Sequence, residues 1–343
     1  MRGTVMMNRK NRGLLNWIML FQMFATISLS QTVKLGTLAP ENSPWHEAML
    51  ALGEDWAEIS NGNINIKLYA GGILGDEADM VRKMRIGQLN AAAVTVEGLM
   101  YIIPEIQVLG MPMLLQTDAE LNYVRDQLSE YFRDLMEERG FILLTWSDAG
   151  WAHLFTNAPV IYPEDLNKTN QKVFIWAGGS GKRGWMDAGF TAVEVSAPDI
   201  FMSLQTGLIT TLTTTPIIAL SYQWFPMVPY VTDLRAGPLP GAIIITKKKW
   251  DKIPEALRVK LITQAEARGA ALSEAVIALE IEAIEVMQKN GLHYLRAPDD
   301  AYLAWKQMVT TYMYPEILEK EVPEALYLRV EQLLADFRAG KKE

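Results

Sequence analysis

The chain has 343 residues, half of them hydrophobic and 21% charged, with a mean hydropathy near zero at +0.05. That balance excludes collagen, coiled-coil and disordered classes and leaves a globular body with enough apolar residues for two cores of roughly 150 residues each. The net charge is −8 and no cysteine is present, which excludes disulfides, thiolate metal sites, cysteine nucleophiles and a lipid-anchored cysteine.

Arg2, Arg9, Lys10 and Arg12 precede an apolar run from Leu14 to about Ile27, with no acidic residue among the first thirty. Residues 1–30 therefore read as a secretory signal peptide cut before Gln31, with Ser28 and Ser30 as the small residues at the cleavage site. An uncleaved N-terminal anchor is the alternative, although the run is shorter than the roughly 20 residues a span requires. Without this segment, 28 basic groups face 40 acidic ones, a net charge of −12. A body of that charge repels nucleic-acid phosphates, so no nucleic-acid partner is expected.

From Thr32 strands alternate with helices. VKLGTLAP is a predicted strand, Ser43 caps a helix to about Ser60, INIKLYA follows as a strand, and Asp76 to Gly87 is helical. LNAAAVTV reads as a buried strand, Asp118 to Arg139 as one helix ended by Gly140, and FILLTWS as a strand. After Gly150 the rhythm resumes with QKVFIWA, a helix from about Ser180, TAVEVS, a helix from Pro198 to Thr206, LITTLTT, and a helix from about Pro216 to Trp224. This alternation predicts an α/β protein with mostly parallel sheets. MVPYVTDL leads to the bend Gly237-Pro238-Leu239-Pro240-Gly241, after which GAIIIT is a strand returning to the first lobe. The pattern from Pro254 to Asn290 predicts a helix of about 55 Å that braces both lobes, or two helices kinked at Gly269.

Two lobes joined by crossing segments make a hinge-bending clamshell with its cleft at the carboxyl ends of the strands. Residues 40–44, 95–98, 149–152, 176–180 and 213–216 are expected to line it.

Gly179-Ser180-Gly181-Lys182-Arg183-Gly184 matches GxGxxG after a predicted strand and so resembles a dinucleotide fingerprint. Lys182 and Arg183 crowd the turn, so the preferred reading is a glycine-rich turn that lets backbone approach a ligand. The three histidines, His46, His153 and His293, lack second ligands at metal-site spacing, and neither a metal nor another cofactor is expected. Glu97, Asp148 and His153 form no evident acid–base pair, so an enzyme is not expected. Aromatic residues from Trp146 to Phe225, including Trp151, Phe174, Trp176, Tyr222 and Trp224, gather in the second lobe and its borders and suit a small-molecule pocket.

The segments VKLGTLAPENSPWHEAM, YAGGILGDEADMVRKMRIGQLNAAAV, PEIQVLGMPMLL, PEDLNKTNQKVFIW, SLQTGLITT with Thr215-Pro216, and GAIIITKKKWDKIP resemble, in order and spacing, the DctP-like substrate-binding subunits of tripartite ATP-independent periplasmic (TRAP) transporters. The resemblance covers nearly the whole mature chain. It implies a periplasmic protein with a periplasmic-binding-protein clamshell fold, hinge strands and a long bracing helix, closing on one small organic ligand. It also implies delivery to a TRAP permease driven by an ion gradient. The family holds a substrate carboxylate with an arginine in a KIRV-like strand; here Lys172-Val173-Phe174-Ile175 puts Phe174 in that place. His153, within Trp151-Ala152-His153-Leu154-Phe155-Thr156-Asn157, stands where a second arginine is frequent. A phenylalanine cannot replace a bidentate arginine, so a neutral or largely apolar ligand is expected. VFIWAGG, QTGLI and Ala219 to Phe225 resemble the subgroup that works with a periplasmic tetratricopeptide-repeat partner.

The expected organisation is a signal peptide at 1–30, lobe I at 31–147 with 235–253, and lobe II at 148–234. A bracing helix at 254–290 and a C-terminal strand and helices at 291–343 complete it. The expected ligand contacts are Trp151, His153, Phe174, Trp176, Thr214, Thr215 and Trp224 from the second lobe, with Asn42, Trp45 and Glu97 from the first. The function expected is solute binding for transport, with a ligand-sensing module or a periplasmic enzyme as alternatives.

Overall fold

In the computed structural model, residues 30–176 and 181–340 are described. The predicted signal peptide, its last residue apart, lies outside them, as does 177–180 of the predicted glycine-rich turn. β1 (Gln31–Thr37) alternates buried Val33 and Leu35 with exposed Lys34 and enters the middle of a five-stranded sheet. Its partners are β2 (Ile64–Tyr69), β3 (Ala91–Thr95), β4 (Phe141–Trp146) and β10 (Gly241–Thr246), in the order β2-β1-β3-β10-β4. A six-stranded sheet takes β5 (Trp151–Thr156), β6 (Lys172–Trp176), β7 (Thr191–Val195), β8 (Thr211–Thr214), β9 (Tyr230–Pro238) and β11 (His293–Leu295), in the order β11-β9-β5-β8-β6-β7.

The sheets are mixed, which corrects the expectation of mostly parallel ones. β1 pairs in parallel with β2 and β3, and β6 with β7 and β8. The strands on either side of the crossings run against their neighbours: β10 is antiparallel to β3 and β4, and β5 to β8 and β9. The reason is connectivity. A chain that leaves one sheet at Trp146, enters the other at Trp151, and returns at Gly241 inserts each crossing strand without the helical crossover a parallel pair requires. β9 pairs with β5 as far as Gly237 and Pro238, so residues 237 and 238, expected with the first lobe, pair with the second sheet, whereas the Ala236 carbonyl accepts from the Met113 amide.

Helices start where polar caps allow. The Ser43 hydroxyl accepts from the His46 amide at 3.3 Å to open α1 (Pro44–Ile59), and Asp76 accepts from Asp79 at 2.8 Å to open α2 (Glu77–Arg85). The single helix expected over 118–139 is two, Asp118–Gln127 and Ser129–Glu138, broken at buried Leu128. The first half packs on the C-terminal helix Glu324–Arg338 and the second on β4, and the bend lets each half bury its own apolar face.

The long helix is continuous over Glu255–Lys289. Gly269 does not kink it; a Cβ there would lie 2.0 Å from Thr145 Oγ1 and 2.4 Å from the Trp146 carbonyl oxygen, so the glycine lets the helix lie directly on β4. The helix touches α1, β4 and the second-sheet helix Pro216–Ser221. Arg268 grips Asp55 of α1 through Nε at 2.6 Å and Nη2 at 2.9 Å, and the Trp56 indole donates to the Leu261 carbonyl at 3.1 Å. No helix among the described residues is long and apolar enough to cross a membrane.

Candidate functional site

Five strands deliver their carboxyl ends to one place. Thr37 ends β1 and Leu38 to Pro40 follow it, Thr95 ends β3, Ser147 and Ala149 follow β4, Trp176 ends β6, and Thr213 and Thr214 end β8; all border a cavity of about 120 Å³. Trp45 from α1 and Ile218, Tyr222 and Trp224 from the second-sheet side complete the wall. A further cavity of about 210 Å³ shares Trp176, Thr213 and Leu239 with the first and is walled by Phe174, Trp185, Trp305 and Met313, with Glu97 and Gln107 as polar members. A recess of about 30 Å³ joins the two at Trp176 and is bordered by Asp76, Glu77, Glu97 and Tyr101. These spaces form a cleft between the two sheets, as expected where α/β strands end.

The aromatic walls are held by ring contacts. Phe174 and Trp176 meet edge to face at 4.8 Å and 77°, and Tyr222 stacks on Trp224 at 4.7 Å and 14°. The Trp45 indole donates to the Asp148 carbonyl at 3.1 Å, which anchors that ring to the β4–β5 crossing. Tyr222 Oη donates to the Leu38 carbonyl across the cleft, linking the two sides.

Every charged side chain that borders the cleft among the described residues is acidic. Glu77 accepts from the Thr95 amide, the Thr95 hydroxyl and the Gly98 amide, each at 2.8 Å. Even so, burial pushes its carboxyl up to about 7. Glu97, in the short helix α3 (Val96–Met100), is pushed up to about 8, first by burial and then by the charges of Glu77 and Glu321. Burial, aided by Glu77, raises the Tyr222 phenol as well. Opposed carboxyls in a dry site each disfavour the other's ionisation.

Of the residues predicted to contact ligand, the structure brings Trp45, Trp176, Thr214 and Trp224 to the first cavity and Phe174, Trp176 and Glu97 to the second. Trp151 and His153 do not line the cleft, a correction whose cause is strand alternation. Ala152 and Leu154 of β5 face the larger cavity, so Trp151, His153 and Phe155 point the other way. The Trp151 indole donates to Asp118 at 2.9 Å, its amide donates to Glu280 at 2.5 Å, and Arg235 lies 4.9 Å over its ring. It borders a separate polar groove of about 470 Å³ under the long helix, with Arg125, Asp148 and Glu280. Thr215 is fully buried and caps the helix Pro216–Ser221 by accepting from the Ile218 amide at 3.3 Å. Asn42 occupies an exposed turn at φ 64° and donates its amide to His46 Nδ1 at 3.2 Å. Neither borders the cavities.

Glu77, Tyr222 and Gln107 are cleft residues absent from the predicted contacts. Tyr222 has a signal in its place among the second-lobe aromatics. Glu77 and Gln107 have none, since a glutamate in a first turn and a glutamine in a short 3₁₀ segment, Pro104–Leu109, read as solvated surface. In the GxGxxG stretch, the Gly184 amide donates to Glu316 at 3.0 Å and a Cβ on Gly184 would lie 2.6 Å from the Tyr312 carbonyl. Lys182 pairs with Glu194 and Arg183 with Glu319, so residues 182–184 serve packing and surface pairing, while Gly181 borders the larger cavity. No group of three or more acidic, histidine or cysteine side chains among the described residues could hold a metal ion.

Residues 35–321 match the family of bacterial extracellular solute-binding proteins, family 7, the DctP family. A solute-binding protein of Chromohalobacter salexigens is 24% identical over 71% of this chain and 74% of its own. The C4-dicarboxylate-binding periplasmic protein of Rhodobacter capsulatus is 20% identical over 84% and 86%. Among solved structures, a TRAP periplasmic solute-binding protein of Desulfovibrio salexigens with bound orotic acid superposes with a TM-score of 0.81. It covers 91% of this chain and 99% of that one at 16% identity. One from Citrobacter koseri with bound D-glucuronate gives 0.78, over 88% and 99% at 23% identity. With the family match spanning both sheets and the long helix, this chain belongs to the bacterial extracellular solute-binding proteins of family 7, a family of binding proteins rather than enzymes.

Proposed function

We propose that this protein is the periplasmic binding subunit of a TRAP-type transporter. It captures a small organic, neutral or largely apolar ligand in the interlobe cleft and delivers it to an ion-gradient-driven permease. The lobes are taken as 31–147 with the returning strand Gly241–Thr246, and 148–238, hinged at the two crossings. One observation carries the ligand class: Phe174 replaces the arginine expected in its strand, and no described lysine, arginine or histidine borders the cleft. A carboxylate transferred there would lose its water without gaining a cation. The orotate and glucuronate bound by the Desulfovibrio and Citrobacter proteins are acids, and this cleft is a poor host for them. A periplasmic tetratricopeptide-repeat protein is proposed as a further partner on the VFIWAGG subgroup pattern.

Native mass spectrometry of the mature protein, followed by denaturation and identification of what is released, tests the ligand class. The expected result is one copy of a neutral or largely apolar molecule. A dicarboxylate or uronate as the tightest ligand overturns it.

A further inference from the structure

The charge of the cleft says more than which ligands it refuses. We infer that the ligand's polar end is a protonated amine, held by the Glu97 carboxylate and the Gln107 side-chain oxygen in the larger cavity, with the apolar body against Phe174 and Trp176. This rests on the reading of the cleft as an apolar ligand site without cations.

Two unanswered acceptors carry it. Gln107 is only 9% exposed, borders the cavity, and its Oε1 has no hydrogen-bond partner. Glu97 borders the same cavity and its carboxyl accepts no hydrogen bond among the described residues, whereas neighbouring Glu77 is satisfied three times over. Buried acceptors without donors are costly. An alkylammonium supplies three N–H donors and the missing positive charge, whereas a hydroxyl supplies one donor and no charge. Trp176 borders all three spaces, and the face of an indole ring attracts a cation.

Proton linkage follows from the same arrangement. The groups around Glu97 are Glu77 and Asp76 of the α2 turn, Tyr101 after α3, and Glu321 of the C-terminal segment, so its surroundings are acidic. Without ligand the carboxyl is held protonated until about pH 8, and an ammonium must displace that proton. Affinity for an amine therefore climbs from pH 6 to 8, by up to about tenfold per pH unit, and levels off above.

The test compares octylamine, octanol and octanoate on the mature protein by tryptophan fluorescence and calorimetry. At pH 8 octylamine is expected to bind at least about tenfold more tightly than octanol, with octanoate weakest. Glu97→Gln is expected to bring the amine-to-alcohol ratio to about one and to flatten its pH dependence. Gln107→Leu, a second variant should the first fail to fold, lowers the ratio severalfold. If octanol binds and octylamine binds no more tightly, the amine inference fails and the apolar reading survives. If octanoate binds best, or none of the three binds, both are overturned.

Discussion

His153 shows how much a residue's role depends on the direction in which its strand presents it. It is 6% exposed, its Nδ1 lacks a partner, and burial pulls its pKa down to about 4, with Asp233 opposing and Arg235 assisting. The folded protein therefore holds it neutral where an unfolded chain would protonate it. The histidine's contribution to stability is complete above about pH 6.5, the unfolded value, and is lost as pH falls from there towards 4. The loss approaches about 3 kcal/mol, at about 1.36 kcal/mol for each pH unit separating the folded and unfolded values. Glu77 and Glu97, whose raised values act in the opposite sense, titrate over the same range, so the histidine's share is read as a difference: between urea melts at pH 7 and pH 4.5 the wild type is expected to lose about 2–3 kcal/mol relative to His153→Gln. An equal change in both would mean that His153 carries no acid sensitivity. Phe174, on β6 of the same sheet, stands instead at the cavity wall, where its side chain bears on ligand charge.

At the scale of elements, the long helix lies against α1, β4 and the helix Pro216–Ser221. It is tied to α1 by Arg268 and Asp55 and to the crossing by Glu280, which accepts from the Trp151 amide. Gly269 is where it comes closest to β4. Helix propensity alone would make Gly269→Ala stabilising by about 1 kcal/mol. The 2.4 Å approach to a backbone carbonyl reverses the sign, because neither helix nor strand can yield locally. Overpacking of this kind costs about 1–3 kcal/mol, so denaturation of Gly269→Ala is expected to show a net loss. A gain would mean that the helix and β4 separate freely enough to admit the added methyl group.

For the whole molecule, the question is how closure is held. Two peptide crossings, at residues 147–150 and 239–240, and the long helix join the sheets. Asp148 in the first crossing is fixed by Arg125 Nη1 at 2.9 and 2.7 Å. Across the cleft, Tyr222 donates to the Leu38 carbonyl, and a phenol so placed is expected to act as a latch. Removing it in Tyr222→Phe costs about 1 kcal/mol, equivalent to roughly a fivefold shift towards the open form. X-ray scattering of the ligand-free variant is expected to give a larger radius of gyration than the wild type. An unchanged radius would assign closure to the crossings and helix alone.

Periodicity, caps and glycine–proline punctuation were enough to locate most elements and the return of Gly241–Thr246 to the first sheet, because these features act within a few residues of themselves; they left open whether 254–290 is one helix or two kinked at Gly269, which the packing of Gly269 on β4 decided. The phenylalanine at 174, where the resemblance to DctP-like subunits implies an arginine, is likewise read from residue type. Other features depended on the tertiary structure because they arise between segments far apart in the chain. The antiparallel crossing strands follow from where the chain re-enters each sheet. The break at Leu128 follows from two different packing partners. Trp151 and His153 were misplaced because a one-residue step along β5 moves a side chain to the opposite face. Glu77 and Gln107 became cleft residues only when α2 and the 3₁₀ segment packed beside α3, since burial and unsatisfied acceptors are properties of the assembled fold.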